Sequence, residues 1–549
     1  KEVCMHDDAW SFSQIDTFLQ KLTPLSVWAK DEHAKCIVYT DRKKLETLYD
    51  DIDAVFASLE ASPSSIAQDR ISYHLKRLPR IPLTEKDTYE IIELFQFKKF
   101  LTNFRAICHE ITPDIAERFA LKPVAREATA LLEQGGSDAE TFFLADSYHP
   151  SLPEIRKRIV IVQELISKAK HTRDETILEQ FDIALNEREF VIVDTSHVTE
   201  NLTASPLVNL EPYDDNHFIV KPSLNAELIK LEQELEKLRN QEQLVEQEVI
   251  TELSKVINTS LTEIHRAIEA IIRYDRARAC ALFITSYKLT RPCLSSNCLT
   301  LHDGRYIPCE EECTALGLAY TPLTISLQKN TTVLFGSNMG GKTVALKTLL
   351  FFQLLAQCGF FVPARSFETR VYKHIRYVGE LYGERLTGLS GFGFEIWRFN
   401  SVWSQVDDGL IAFDEFARTT GSHEAEALLS AVVDAYRKKP AITSIFATHF
   451  RGIERYTDVY YIKMKGLNHE QAVACLDEHA PLKDRLMSIN QHMCYAVCPD
   501  TGSDIQSDAL AIADMLGADS TIIRAAQTII QKRNTLTNKN AGKLPCASS

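Results

Sequence analysis

The stretch Gly336-Ser337-Asn338-Met339-Gly340-Gly341-Lys342-Thr343 constrains the fold of this chain more than any other feature. It fits the Gly-x-x-x-x-Gly-Lys-Ser/Thr pattern, in which glycines let backbone N–H groups turn inward around phosphate oxygens. The pattern has force only between a strand and a helix, because the helix that opens there adds the positive end of its dipole. Both neighbours are legible. The strand-like run Thr332-Val333-Leu334-Phe335 precedes the loop, and a helical run follows from Val344 to about Gln357. Lys342 is then placed to reach outer phosphates, and Thr343 to offer its hydroxyl to the Mg²⁺ that rides with them. A nucleoside triphosphate and Mg²⁺ are therefore the expected cofactors.

With 549 residues the chain exceeds a single core, and length alone suggests about three to four domains. The N-terminus opens polar and charged, Lys1-Glu2-Val3-Cys4-Met5-His6-Asp7-Asp8, so no targeting segment is expected, and the lack of an initiating Met leaves room for residues upstream. The most apolar long run, Leu349 to Ala364, contains Gln353 and Gln357 and is shorter than a membrane span. It reads as a buried helix, and no membrane partner is expected. Thirteen scattered cysteines argue for a reducing, cytoplasmic setting. The close pairs Cys293/Cys298, Cys309/Cys313 and Cys494/Cys498 lack the spacing of a zinc ribbon, so free thiols are preferred over metal ligands. A net charge of −14 disfavours a surface that attracts nucleic acid everywhere, while leaving room for a local basic groove.

Glycine divides the chain. Of twenty glycines only Gly135 and Gly136 precede residue 304. Helical domains can dispense with glycine, whereas an α/β nucleotide fold needs it at strand-to-helix turns. The expected organisation is therefore a mostly helical first half and an α/β second half, with a boundary near residue 300. Residues 87–133 read as helical, punctuated by Pro82 and Pro113, and Gly135-Gly136-Ser137 reads as a turn. Residues 190–194 and 217–221 read as short strands joined by a polar stretch with Pro206 and Pro212. From Leu224 to about Ser286 there is neither Pro nor Gly. Leu228, Leu231, Leu235 and Leu238, then Val245, Val249, Leu253 and Val256, form a helical stripe. This predicts one helix, or two collinear ones, that could serve as a lever, a strut or a dimer seam.

Downstream of the loop, Leu410-Ile411-Ala412-Phe413-Asp414-Glu415 is an apolar strand ending in two acids. At such a strand end the first acid, Asp414, is suited to the Mg²⁺ shell, and the second, Glu415, to orienting or deprotonating an attacking water. A further strand, 442–447, ends in Thr448-His449, where His449 can contact the terminal phosphate or the water.

These pieces together, with Leu389-Ser390-Gly391-Phe392-Gly393-Phe394-Glu395 between them, resemble the MutS family, which belongs to the ABC-type ATPases and is best known from DNA mismatch repair. Asn338-Met339-Gly340-Gly341-Lys342 is the most specific string; 359–364, Phe413-Asp414-Glu415-Phe416-Ala417-Arg418-Thr419-Thr420 and Phe446-Ala447-Thr448-His449 complete the set. Residues 507–517 and the helix after them resemble the family's helix-turn-helix, which braces the ATPase dimer. The resemblance implies ATP hydrolysis at sites shared between two facing ATPase domains, in a homodimer or in a heterodimer with a MutS-like paralogue. Ser390 would reach across to the terminal phosphate bound by the partner, and Arg418 would sit near that interface. More loosely, it implies a multidomain α plus α/β fold. Its parts are a helical core over 1–185, a small clamp-like β segment over 186–223, a lever helix over 224–300, a P-loop ATPase over 301–500, and a helix-turn-helix with a tail over 501–549.

The sequence also departs from the family. Mismatch readers wedge a Phe beside a Glu, spaced Phe-x-Glu, into a mispaired step. The only Phe-x-Glu here is Phe413-Asp414-Glu415, and the chain is expected to be too short for a reader domain before its core. From Asn186 to Pro222 there are seven acids against two bases, a net of −5, where a DNA-holding clamp needs Lys and Arg. Arg273, Arg276 and Arg278 could compensate in part. Ser337 stands where the family usually has Pro, and Gly391 and Gly393 replace Thr and Met. The favoured expectation is an ATP-driven remodeller of a protein client. Reader-less MutS-like proteins accompany adenosylcobalamin-dependent lysine aminomutases, and the Ala-Arg-Thr-Thr and Ser-Gly-Phe-Gly-Phe-Glu segments are similar to that group. The alternative is a DNA-clamp ATPase of repair or recombination. A catalytically idle member is disfavoured by Lys342, Thr343, Asp414, Glu415 and His449.

Overall fold

The computed structural model describes residues 7–61, 65–136, 142–223, 225–295, 299–337, 340–380, 391–467, 493–502 and 508–541. They form two compact units that do not follow chain order. One comprises Ser26–Trp28 and Ser64–Ile271; the other comprises Lys1–Leu25, Ala29–Pro63 and Ile272–Ser549. The expected helical stretch 1–185 is thus divided between them.

The first unit is mainly helical. Residues 87–133 resolve into the helices Ile91–Glu110, Pro113–Phe119 and Arg126–Leu132. Pro113 occupies the first turn of its helix, where a missing N–H breaks no bond. The chain free of Pro and Gly forms one helix, Ala226–Ala281, of 56 residues, whose last turns belong to the other unit. Arg156 on the helix Leu152–Phe181 binds Glu242 at 2.7 Å and Glu246 at 2.8 Å on the long helix, so its guanidinium fork joins the two. Three strands, β1 (Val191–Asp194), β2 (Val208–Pro212) and β3 (His217–Pro222), form an antiparallel sheet with β3 in the centre. β2 was illegible because Pro206 and Pro212 read as breakers, although Pro212 only ends the strand. Val208 and Val220 pack with Ile177, Ile183 and Leu202 beneath this sheet.

The second unit holds two sheets. Strands β4 (Cys293–Leu294), β5 (Leu299–Gly304), β6 (Leu323–Leu327) and β8 (Ser366–Thr369) form one, in the order β4-β8-β5-β6. The larger sheet contains β7 (Thr331–Phe335), β9 (His374–Val378), β10 (Gly409–Asp414), β11 (Ile442–Thr448), β12 (Tyr460–Leu467) and β13 (Met493–Pro499), in the order β13-β12-β7-β11-β10-β9. All its pairings are parallel except that of β13 with β12. β7 and β11 are buried along their whole length, so they lack the in–out alternation of a half-exposed strand, and Thr331, Thr332, Thr443, Ser444 and Thr448 are buried with the apolar residues. The helix Asp7–Ser13 belongs here as well: Phe12 stacks on Tyr377 at 3.7 Å, and Asp8 pairs with Arg376 at 2.7 Å. Two helices, Asp508–Met515 and Ser520–Ala541, follow β13, and Ile512 and Met515 pack on Leu467 and Met493. Ser507, where the helix-turn-helix resemblance begins, lies outside the described residues.

After the glycine-rich loop that follows β7 runs the helix Lys342–Gln357, which is buried along most of its length. No described helix is long and apolar enough to cross a membrane. Gln353 and Gln357 are fully buried and fully used. Gln357 donates to the Tyr372 carbonyl at 2.8 Å and the Tyr39 carbonyl at 3.0 Å. Its side-chain oxygen accepts from the Tyr372 N–H at 3.0 Å and from Gln353 at 2.7 Å. Gln357→Leu keeps the volume but strands four buried polar groups. It should lower stability by about 2–3 kcal/mol, read as a lower urea midpoint at unchanged slope.

Candidate nucleotide and metal site

Strand register builds the site. Phe335, the last residue of β7, lies opposite Thr448 of β11, and Asp414 of β10 lies opposite Ala447 of β11. The carboxyl ends of three parallel strands are therefore level, and Gly336, Glu415 and His449 leave the sheet along one edge. Ligands of open α/β sheets bind in crevices outside such ends.

Gly341 takes φ +85°, and a Cβ there would come within 2.8 Å of the Tyr495 ring, so glycine is required on two counts. The helix opens at the next residue, Lys342. The Lys342 side chain is 3% exposed, and its Nζ donates to the carbonyls of Gly336 at 2.8 Å and Ser337 at 2.9 Å. Burial lowers its pKa, and the nearby carboxylate of Glu415, 3.4 Å away, opposes that shift. Thr343 donates its hydroxyl to Asp414 Oδ2 at 2.9 Å. The other oxygen, Asp414 Oδ1, is buried without a hydrogen-bond partner among the described residues. Burial raises the Asp414 pKa, and the charge of Glu415 adds to the rise.

Glu415 sits at a backbone angle that side chains rarely adopt, φ +50°, and so does Ala417 at φ +66°. The Glu415 N–H is tied to the Ala447 carbonyl at 2.9 Å. Its Oε1 lies 3.4 Å from Lys342 Nζ and 3.5 Å from His449 Nδ1, and its Oε2 lies 3.3 Å from Arg418. Burial pushes the Glu415 carboxyl up, but Lys342, His449 and Arg418 together outweigh it and hold the group below the usual carboxylate range. Arg418 also reaches Glu380 at 2.7 Å. The left-handed loop is braced from the helix Gly391–Gln405, where Glu395 Oε1 accepts the Ala417 N–H at 2.8 Å. Burial pushes the Glu395 carboxyl up to about 7.

Beside the loop opens a cavity of about 320 Å³, lined by Tyr320, Leu323, Val344, Met464 and Tyr495 together with Gly341, Lys342 and Thr343. Its size and mostly apolar wall suit a small organic ligand. The Tyr320 phenol oxygen accepts the Tyr306 N–H at 2.7 Å, which fixes the ring at the rim.

The structure brings together Gly336, Ser337, Gly340, Gly341, Lys342, Thr343, Asp414, Glu415, Arg418 and His449. Asn338, Met339 and Ser390 lie outside the described residues. Sequence reasoning assigned no role to Glu395, Tyr320 or Tyr495. Glu395 had a readable signal, since it is an acid on an otherwise apolar and aromatic segment; the tyrosines had none, because they come from distant strands and turns. Arg273, Arg276 and Arg278 do not offer the basic surface considered for them. Arg273 binds Asp51 at 2.7 Å, Arg276 donates to the Cys358 carbonyl and covers the Phe360 ring, and Arg278 is 3% exposed. Among the described residues no group of three or more His, Cys, Asp or Glu side chains forms a metal cluster.

Comparison with known proteins places this geometry. Residues 332–534, which span β7 to the last helix, match the sequence model of MutS domain V. The DNA mismatch repair protein MutS of Streptococcus pyogenes serotype M49 (strain NZ131) is 25% identical over 246 residues, 43% of this chain and 29% of that protein. The protein of the same name from serotype M4 (strain MGAS10750) is 25% identical over 247 residues, with the same coverage. The match therefore spans less than a third of these relatives' length. Residues 332–534 thus resemble a MutS domain V, and over that part the chain is similar to the mismatch repair proteins MutS.

Proposed function

We propose that this chain binds and hydrolyses Mg²⁺-ATP at the edge of its large sheet and uses the cycle to remodel a protein client. The observation that carries the first part is the meeting of Lys342, Thr343, Asp414, Glu415 and His449, drawn from three strand ends, at one place. The residues fit the nucleotide and its metal. Asp414 Oδ1 is a buried carboxyl oxygen without a hydrogen-bond partner among the described residues, next to the Thr343 hydroxyl, and the two make a hard-oxygen pair of the kind Mg²⁺ takes. Mg²⁺ would supply charge neutralisation across the outer phosphates. Lys342 presents a desolvated ammonium to the same phosphates, where low dielectric strengthens its pull. Glu415, held ionised by its cationic neighbours, orients the attacking water and accepts its proton. His449 stands beside that carboxylate and can fix the water's second hydrogen-bonding direction. The cavity lined by Tyr320, Val344 and Tyr495 would hold the base and sugar.

By the family resemblance the working form is a dimer, of two copies or with a MutS-like paralogue, in which Ser390 of one chain meets the phosphates bound by the other. The two helices from Asp508 onward would be the bracing helix-turn-helix. Arg418, half-exposed and bonded to Glu415 and Glu380, is placed to report a partner's approach to the general base.

The sign of the small sheet favours a protein client over DNA. Both bases of residues 186–222 are few and one is already used, since Lys221 pairs with Glu211. Glu189 is met by Lys170 at 2.6 Å and Arg173 at 3.3 Å, which spends two further bases of the neighbouring helix. Phosphates find little left to hold. Phe413, of the one Phe-x-Glu sequence, is fully buried and cannot wedge between bases. A cobalamin-dependent aminomutase is the client class that the Ala417-Arg418-Thr419-Thr420 and Ser390–Glu395 segments bring forward. The second reading, a DNA-clamp ATPase, draws its support from the relatives' name, DNA mismatch repair protein MutS.

Glu415→Gln should retain ATP and lose turnover by about 100-fold or more, measured as phosphate release against nucleotide binding. Unchanged turnover would remove Glu415 from the role of base. The ATP-held variant should also bind duplex DNA weakly at physiological salt. Tight binding that falls steeply with salt would favour the DNA-clamp reading instead.

Glu395 supplies a pH signature. Its folded-state pKa of about 7 stands above the ordinary 4.5, so the folded chain holds a proton that the unfolded chain has lost. Its stabilising contribution is full below pH 4.5 and is lost as the pH rises from there through about 7. Glu395→Gln should flatten that part of the stability-versus-pH curve, followed as urea midpoints across this range.

A further inference from the structure

The pair Cys309 and Cys313 has no part in the hydrolysis site, yet it lies in the cavity wall. Both are on the helix Ile307–Ala315, four residues apart, and both line the cavity beside Lys342 and Thr343. Both are free and half-buried. Burial and the neighbouring thiol push the Cys309 thiol up to about 12, so it stays protonated and is a poor target for reagents that need a thiolate.

Geometry decides what such a pair can take. Residues four apart on a helix hold their Cβ atoms about 5–6 Å apart, whereas a disulfide wants about 3.8 Å. A direct S–S bond would require the helix to bend. A single atom bonded to both sulfurs spans the wider gap without that distortion. A tetrahedral metal would need further ligands, and no group of three or more metal-ligating side chains is found among the described residues. Trigonal arsenic carrying one organic group needs two sulfurs and nothing more.

We propose that Cys309 and Cys313 form a dithiol site for a monosubstituted trivalent arsenical, and that its occupation and nucleotide binding exclude each other. The second half rests on the assignment of this cavity to the base and sugar of ATP. The step is an exchange without change of oxidation state. Two S–H bonds break, two As–S bonds form, and the oxygen of the arsenoxide leaves with both protons as water. Cys494 and Cys498 cannot substitute, because four residues along β13 separate them by about 13 Å.

Phenylarsine oxide is the probe, with intact mass, ATP binding and adduct formation measured separately on the full chain. We expect one adduct that Cys309→Ser and Cys313→Ser each abolish and that 2,3-dimercaptopropanol removes. ATP at about ten times its Kd should slow adduct formation about tenfold, and the adduct should block ATP binding. Retention of the adduct in both serine variants overturns the dithiol site. ATP that binds the unreacted chain but neither protects the pair nor is excluded by the adduct overturns the placement in the nucleotide cavity. Failure of the unreacted chain to bind ATP overturns the nucleotide reading instead, and the dithiol site is then judged on the serine variants alone.

Discussion

A buried ammonium has to be met by oxygen, and at Lys342 that requirement organises the whole edge of the large sheet. The charge is removed from water and satisfied by the Gly336 and Ser337 carbonyls and, at longer range, by Glu415. Those partners come from different strand ends, so the arrangement exists only while β7, β10 and β11 hold their register. The same register sets Asp414 against Thr343 and His449 against Glu415. A shift of one residue in any of the three strands would turn these side chains to the opposite face.

The loop after β10 concentrates strain at the same place. Glu415 and Ala417 both adopt left-handed backbone angles without being glycine, and such residues persist only where their surroundings hold them. Two anchors do so: the Glu415 N–H on Ala447, and the Ala417 N–H on Glu395. The second anchor stands on the helix that begins next to Ser390, the residue expected to meet a partner's nucleotide. Movement of that helix would act on the loop that carries Glu415 through one hydrogen bond, at Ala417.

Much of this was legible in the sequence, for physical reasons. The glycine-rich loop after β7 declares itself through a glycine that no other residue can replace, as the positive φ and crowded Cβ position of Gly341 illustrate. Strands buried on both faces show no in–out alternation and are rich in apolar and β-branched residues, so β7, β10 and β11 could be placed nearly to the residue. The 56-residue helix followed from the absence of Pro and Gly. What stayed hidden was non-local. β2 was masked by its prolines, and nothing local shows that the helix Asp7–Ser13 packs on β9 and not with the helical unit. The roles of Glu395, Tyr320 and Tyr495 depend on neighbours far away in sequence. Counting charge along the chain was informative about sign, but it did not reveal that Arg273, Arg276 and Arg278 are spent on internal partners.

The proposed Mg²⁺ position is defined by Asp414 Oδ1, which has no hydrogen-bond partner among the described residues, and the Thr343 hydroxyl. Mn²⁺ can stand in for Mg²⁺ and be followed by electron paramagnetic resonance in the presence of a non-hydrolysable ATP analogue. The site predicts one nucleotide-dependent Mn²⁺ per chain, weakened at least about tenfold by Asp414→Asn while the analogue itself still binds. Mn²⁺ binding that is independent of nucleotide, or indifferent to Asp414→Asn, would contradict it.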